Sequence, residues 1–123
     1  MNKNLEDKIK AIYIECKDLI TKHEFSDVLS NEGYTSTEVW DEFAKQINYT
    51  NSLLNKQKDL HYLLTILVET KNGISGGTPS EQKILRTLNM YIEQINALLK
   101  SYSDVIIGQR WILDYYHKGG GLY

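Results

Sequence analysis

The chain has 123 residues, of which 41% are hydrophobic and 24% charged, with a formal net charge of -2. These figures fit one folded domain with its own apolar core and argue against a disordered chain. Even residues 73–123, the segment with the most positive balance, set five Lys and Arg against four acids, which argues against binding in a nucleic-acid groove.

In chain order, Leu5, Ile9, Ile12, Cys16 and Leu19 recur at helical spacing and predict a first helix over about 4–21. Residues 24–30 fit a short helix stopped by Asn31-Glu32-Gly33. Thr35 to Glu38 reads as a capping box that opens a second helix over 36–72, with Asp41 and Glu42 near the positive end of its dipole. Its inner positions are Val39, Trp40, Phe43, Ile47, Leu53, Leu54, Leu60, Leu64, Leu67 and Val68. A loop over 72–77 follows, with Gly73 suited to a left-handed cap. Thr78-Pro79-Ser80-Glu81 is a second start signal, with Thr as cap, Pro at the first helical position and Glu three beyond the cap. The third helix runs over 79–118, and residues 119–123 form a flexible glycine-rich tail.

That third helix carries a ladder in which Leu85, Ile92, Leu99, Ile106 and Leu113 recur every seventh residue. Two further columns flank it: one is Ile84, Tyr91, Leu98, Val105 and Ile112, the other Leu88, Ile95, Tyr102, Gln109 and Tyr116. Three such columns are broader than a two-stranded coiled-coil seam and call for more than one neighbour.

The fold class is therefore all-α. A long antiparallel hairpin (36–72 and 79–118) and a shorter N-terminal helix form one three- to four-helix bundle over residues 1–118. Each hairpin helix is about 55 Å long and the first helix about 27 Å. The linker 22–35 returns the first helix alongside the open end of the hairpin, where it covers about half of the groove. Leu60, Leu64 and Leu67, facing Leu85, Leu88 and Ile92, then await a second copy, which predicts a homodimer.

Several positions carry chemical interest. Ile107, Trp111 and Tyr115 form a ridge on the side of the third helix away from the ladder, and Leu122 and Tyr123 end the tail. These are the expected partner-binding residues. His61 shares a column with Trp40, Ile47, Leu54 and Val68, where a core histidine is expected, and no second ligand at helical spacing supports a metal. Thr50, Gln57 and Gln109 interrupt the core columns, as polar groups that fix register do. Cys16, on the inner face of its helix, fits a core thiol. No motif asks for a cofactor.

Arg110 and His117 stand in an R-x6-H spacing on one helical face. This spacing resembles the signature of the HEPN ribonucleases, which are also small helical bundles. The resemblance implies a pair acting beside a scissile phosphate, usually across a dimer. The position after the arginine, commonly polar in that family, is Trp111 here. A third reading uses the nine tyrosines to stack a nucleotide or another small ligand at an oligomer interface.

The lone cysteine excludes an internal disulfide and fits a reducing compartment. Lysines and acids interrupt the N-terminal residues, and no stretch approaches a membrane span, so a cytoplasmic location is expected. Richness in Ile, Lys, Asn and Tyr fits an AT-rich genome such as that of a low-GC bacterium or its phages. The leading expectation is a non-enzymatic helical protein that self-associates and binds another protein, of the inhibitor, adaptor or immunity-factor kind found in phages and mobile elements.

Overall fold

A computed structural model describes residues 3–22 and 36–117, with the backbone alone at Ser36 and at 115–117. It has three helices, α1 (Lys3–Thr21), α2 (Ser36–Asn72) and α3 (Pro79–His117), and no strand among the described residues. The segment 24–30, the Thr35 cap, the side chains of Tyr115, Tyr116 and His117, and the tail with Leu122 and Tyr123 lie outside what is described.

The heptad pattern is what pairs α2 with α3. Gln109 donates from Nε2 to Oε1 of Gln46 at 2.6 Å, which fixes the antiparallel register of the hairpin. Stepping seven residues each way from this pair sets Leu53 level with Tyr102, Leu60 with Ile95 and Leu67 with Leu88, and all six side chains are fully buried. The deepest column of α3 is thus that of Leu88, Ile95, Tyr102 and Gln109, with the ladder beside it: Leu85 and Leu113 at its ends are only half-buried. On a helical wheel the Leu88 column falls between the other two, so it points most directly at the neighbouring helix.

The loop follows its local chemistry. Thr78 Oγ1 accepts from the Glu81 backbone N–H at 3.1 Å and donates to Glu81 Oε1 at 3.0 Å, and Ser75 Oγ donates to the other carboxylate oxygen at 2.8 Å. The Ser75 and Thr78 hydroxyls hold the Glu81 carboxyl below its ordinary value. The left-handed residue is Gly76, at φ 75°, and not Gly73 as expected. Instead, α2 ends in a tightened turn. The Gly73 N–H meets the carbonyls of Glu69 and Thr70, and Ile74 N–H meets that of Lys71, so the orphan carbonyls find donors without a left-handed residue.

The position of α1 corrects the sequence expectation. It lies along the middle of the hairpin, parallel to α3, and not beside the open end. Tyr91 Oη donates to Glu6 Oε1 at 2.8 Å near its start, and Tyr49 Oη donates to the Leu19 carbonyl at 2.8 Å near its end. Between them Tyr102 Oη donates to the Cys16 carbonyl, Lys56 pairs with Glu15 at 3.0 Å, and the Lys8 ammonium stands 5.9 Å from the Tyr62 ring centre. The reason lies in the core layers. From Leu53 and Tyr102 to Leu67 and Leu88 they are apolar apart from the Tyr102 hydroxyl, which bonds to α1, whereas toward the open end Gln46 and Gln109 occupy the central columns. The apolar stripe of α1, with Ile9 and Cys16 fully buried, removes more apolar surface from water over these middle layers than over the polar one.

The expected dimer surface changes accordingly. Leu60, Leu67 and Leu88 have no exposed surface in the single chain and belong to its own core, so they are not available to a second copy. Leu64, Leu85 and Ile92 are half-buried and lie toward the side of the hairpin away from α1.

Candidate functional site

Three features emerge from this frame: an interior polar layer, an aromatic ridge on the back of α3, and a lateral face of the hairpin without a helix over it.

The polar layer sits just beyond the end of α1. Gln109 is fully buried, and Gln46 and Thr50 are nearly so. Besides its bond to Gln46, Gln109 Nε2 lies 3.3 Å from Thr50 Oγ1. Gln46 Nε2 donates to Glu42 Oε1 at 2.7 Å, and Thr50 Oγ1 donates to the Gln46 carbonyl at 2.8 Å. Among the described residues no buried side-chain nitrogen or oxygen lacks a partner. Such a layer fixes alignment more than it adds stability, because each bond replaces one to water. Thr50 and Gln109 were recognised in the sequence as interruptions. Gln46 was not, although the seven-residue spacing of Val39, Gln46, Leu53, Leu60 and Leu67 marks it as a core position.

The ridge lies opposite this layer on α3. Gln109 points inward, so residues two before and two after it point outward. Ile107 is 54% exposed and Trp111 is 75% exposed, the largest value of any big hydrophobic side chain described. Arg110, Trp111 and Asp114 line an open concavity of about 380 Å³. The structure thus leaves Ile107 and Trp111 uncovered by α1, while the side chain of Tyr115, their expected third partner, is outside the described set. Arg110 is exposed, and the geometry of an Arg110–His117 pair falls outside it for the same reason.

The lateral face follows from the wheel. Tyr49, Lys56 and Tyr91 turn toward α1. The column Trp40, Ile47, Leu54, His61 and Val68 of α2 and the ladder of α3 therefore lie on the far side of the hairpin. Trp40 is 52% and Val68 39% exposed, and Ile47, Leu54, Leu64, Leu85 and Ile92 are half-buried. His61 is exposed here, which corrects the expected core histidine: its column is the rim of the apolar band and not its centre.

Two further expectations concern reactive groups. Cys16 is fully buried, and burial pushes its thiol pKa up, which disfavours the thiolate. Burial also raises Tyr49, Tyr91 and Tyr102, and hydrogen bonds to Glu6 and Cys16 add to this for the last two. These phenols are structural donors to α1 and not free stacking surfaces. Among the described residues no group of three or more His, Cys, Asp and Glu is placed to hold a metal ion, and no helix is long and apolar enough to cross a membrane. No protein-family model matches the chain, and no curated protein or solved structure is similar enough to match it.

Proposed function

We propose that this chain is a non-enzymatic, self-associating binding protein whose partner surface is the Ile107–Trp111 ridge on the back of α3. The observation that supports the reading is the exposure of Trp111 on a helix that already buries its opposite side. A large aromatic left in water on a rigid helix is the residue type that gains most from a shape-matched partner. Arg110 and Asp114 at its sides supply a polar rim of both signs around an apolar centre. The partner that suits this ridge is a protein carrying an apolar groove, into which Trp111 inserts as an anchor.

The test uses the immobilised protein beside two variants, Trp111→Ala and Arg86→Ala, the latter an exposed residue of α3 toward the other end of the helix. A partner held by the wild type and by Arg86→Ala should bind Trp111→Ala about 30-fold more weakly, the loss expected for a hot-spot residue. Far-UV circular dichroism should be unchanged. Equal retention by all three proteins contradicts the proposal, and so does loss of helicity on removing the indole.

A further inference from the structure

We infer that the face of the hairpin turned away from α1 is where two copies of this chain pair. The inference rests on the self-association in the proposed function and assigns it a place and an occupant.

Three observations carry it. First, the face is depleted of charge. The α2 column from Trp40 to Val68 and the α3 ladder from Leu85 to Leu113 contain no Lys, Arg, Asp or Glu; the Leu64 column of α2 meets a charge only at Lys71 beside the loop, and the next column of α3 reads Gln82, Asn89, Asn96 and Ser103 before it reaches Arg110. The back of α3, by contrast, carries Arg86, Glu93, Lys100 and Asp114. Depletion of charge, more than bulk hydrophobicity, distinguishes the centre of an interface from ordinary surface.

Second, the area is sufficient. From Trp40 to Val68 the face is about 42 Å long by the helical rise, and two packed helices make it about 20 Å wide, which gives about 800 Å² per copy. A footprint of that size is large enough to hold a standard interface, which takes about 800 Å² of accessible surface from each partner.

Third, the occupant follows from charge and shape. A two-fold pairing sets each residue of the face against the same face of its mate, so a charged face repels itself and an uncharged one does not. This face holds half-buried side chains of both helices, Leu54 and Ile92 among them, and a second hairpin laid across it completes a four-helix layer. Between Lys71 and Arg110 at its two ends an acidic or basic partner finds no matching charge. The Ile107–Trp111 ridge points away from the face and stays open in the pair.

Size exclusion with light scattering on the full chain tests the inference. The wild type at tens of micromolar should have twice the mass of one chain. Val68→Glu and His61→Glu change exposed positions of the face without disturbing the core, and each places a carboxylate in the interface twice over. Each should run at the mass of one chain, with the association constant at least about 100-fold lower and helicity retained. Trp111→Ala should keep the mass of the pair. The inference is overturned by a wild type at the mass of one chain, or by two glutamate variants that keep the mass of a pair. If Trp111→Ala separates the copies while the glutamate variants do not, the protein still self-associates and only the assigned face is wrong.

Discussion

Single residues decide how the turn and the first helix are held. Gly76 has φ 75°, and a Cβ built on it would stand 3.0 Å from Leu85 Cδ1. Gly76→Ala therefore combines left-handed strain with crowding, and should lower stability by about 1–2 kcal/mol in urea unfolding. Gly73 has neither feature, since the nearest atom to its Cβ would be 3.6 Å away. Gly73→Ala should be neutral, or stabilising by up to about 1 kcal/mol through the unfolded state. Tyr102 ties α3 to α1 through the Cys16 carbonyl. Tyr102→Phe should cost about 1 kcal/mol at neutral pH, because a donor is lost but no buried polar group is orphaned on the tyrosine side. Burial raises the Tyr102 phenol above the ordinary value of 10. A group whose pKa is higher in the folded state contributes stability that is complete below the unfolded value and is lost as pH rises beyond it. The wild type should thus lose its advantage over Tyr102→Phe above pH 10 and keep it from pH 7 to 9, which urea titrations across that range would follow.

At the scale of the elements, the polar layer governs how the two long helices align. Gln109→Leu leaves the Gln46 carbonyl oxygen buried without its donor, and should cost about 1–3 kcal/mol. Adding Gln46→Leu removes the orphan, so the double variant should recover most of that loss in a thermal melt while its hairpin loses the group that fixes its register. The helices themselves were legible in the sequence, because heptad spacing, Pro79 after Thr78 and the glycines around residue 76 act within a turn or two of chain. The ladder was read correctly as apolar, but its neighbour with Leu88 and Gln109 proved central, a matter of wheel angle that counting columns does not reveal. The seat of α1 was not legible. It depends on which stretch of a distant groove is most apolar, and the chain between Thr21 and Ser36 is long enough to permit more than one. The same non-local step moved Leu60, Leu67 and Leu88 from a surface awaiting a second copy into the core. Ile107 and Trp111 were legible as an outward ridge because their exposure follows from the phase of one helix.

For the whole molecule, these pieces make a three-helix unit with two unlike surfaces: a charge-poor face opposite α1 and a ridge on the back of α3. Pairing across the face would leave two ridges pointing outward, so a partner with two matching grooves would bind with avidity beyond that of one ridge. Such pairing would also make stability depend on concentration, since a second copy would bind only the folded chain. The melting temperature should rise as the protein is concentrated tenfold and should stop doing so in Val68→Glu. The most direct measurement is sedimentation equilibrium of the unmodified chain over a wide concentration range. A mass of two chains that falls toward one on dilution is the predicted result, and a single chain's mass at every concentration would contradict the account.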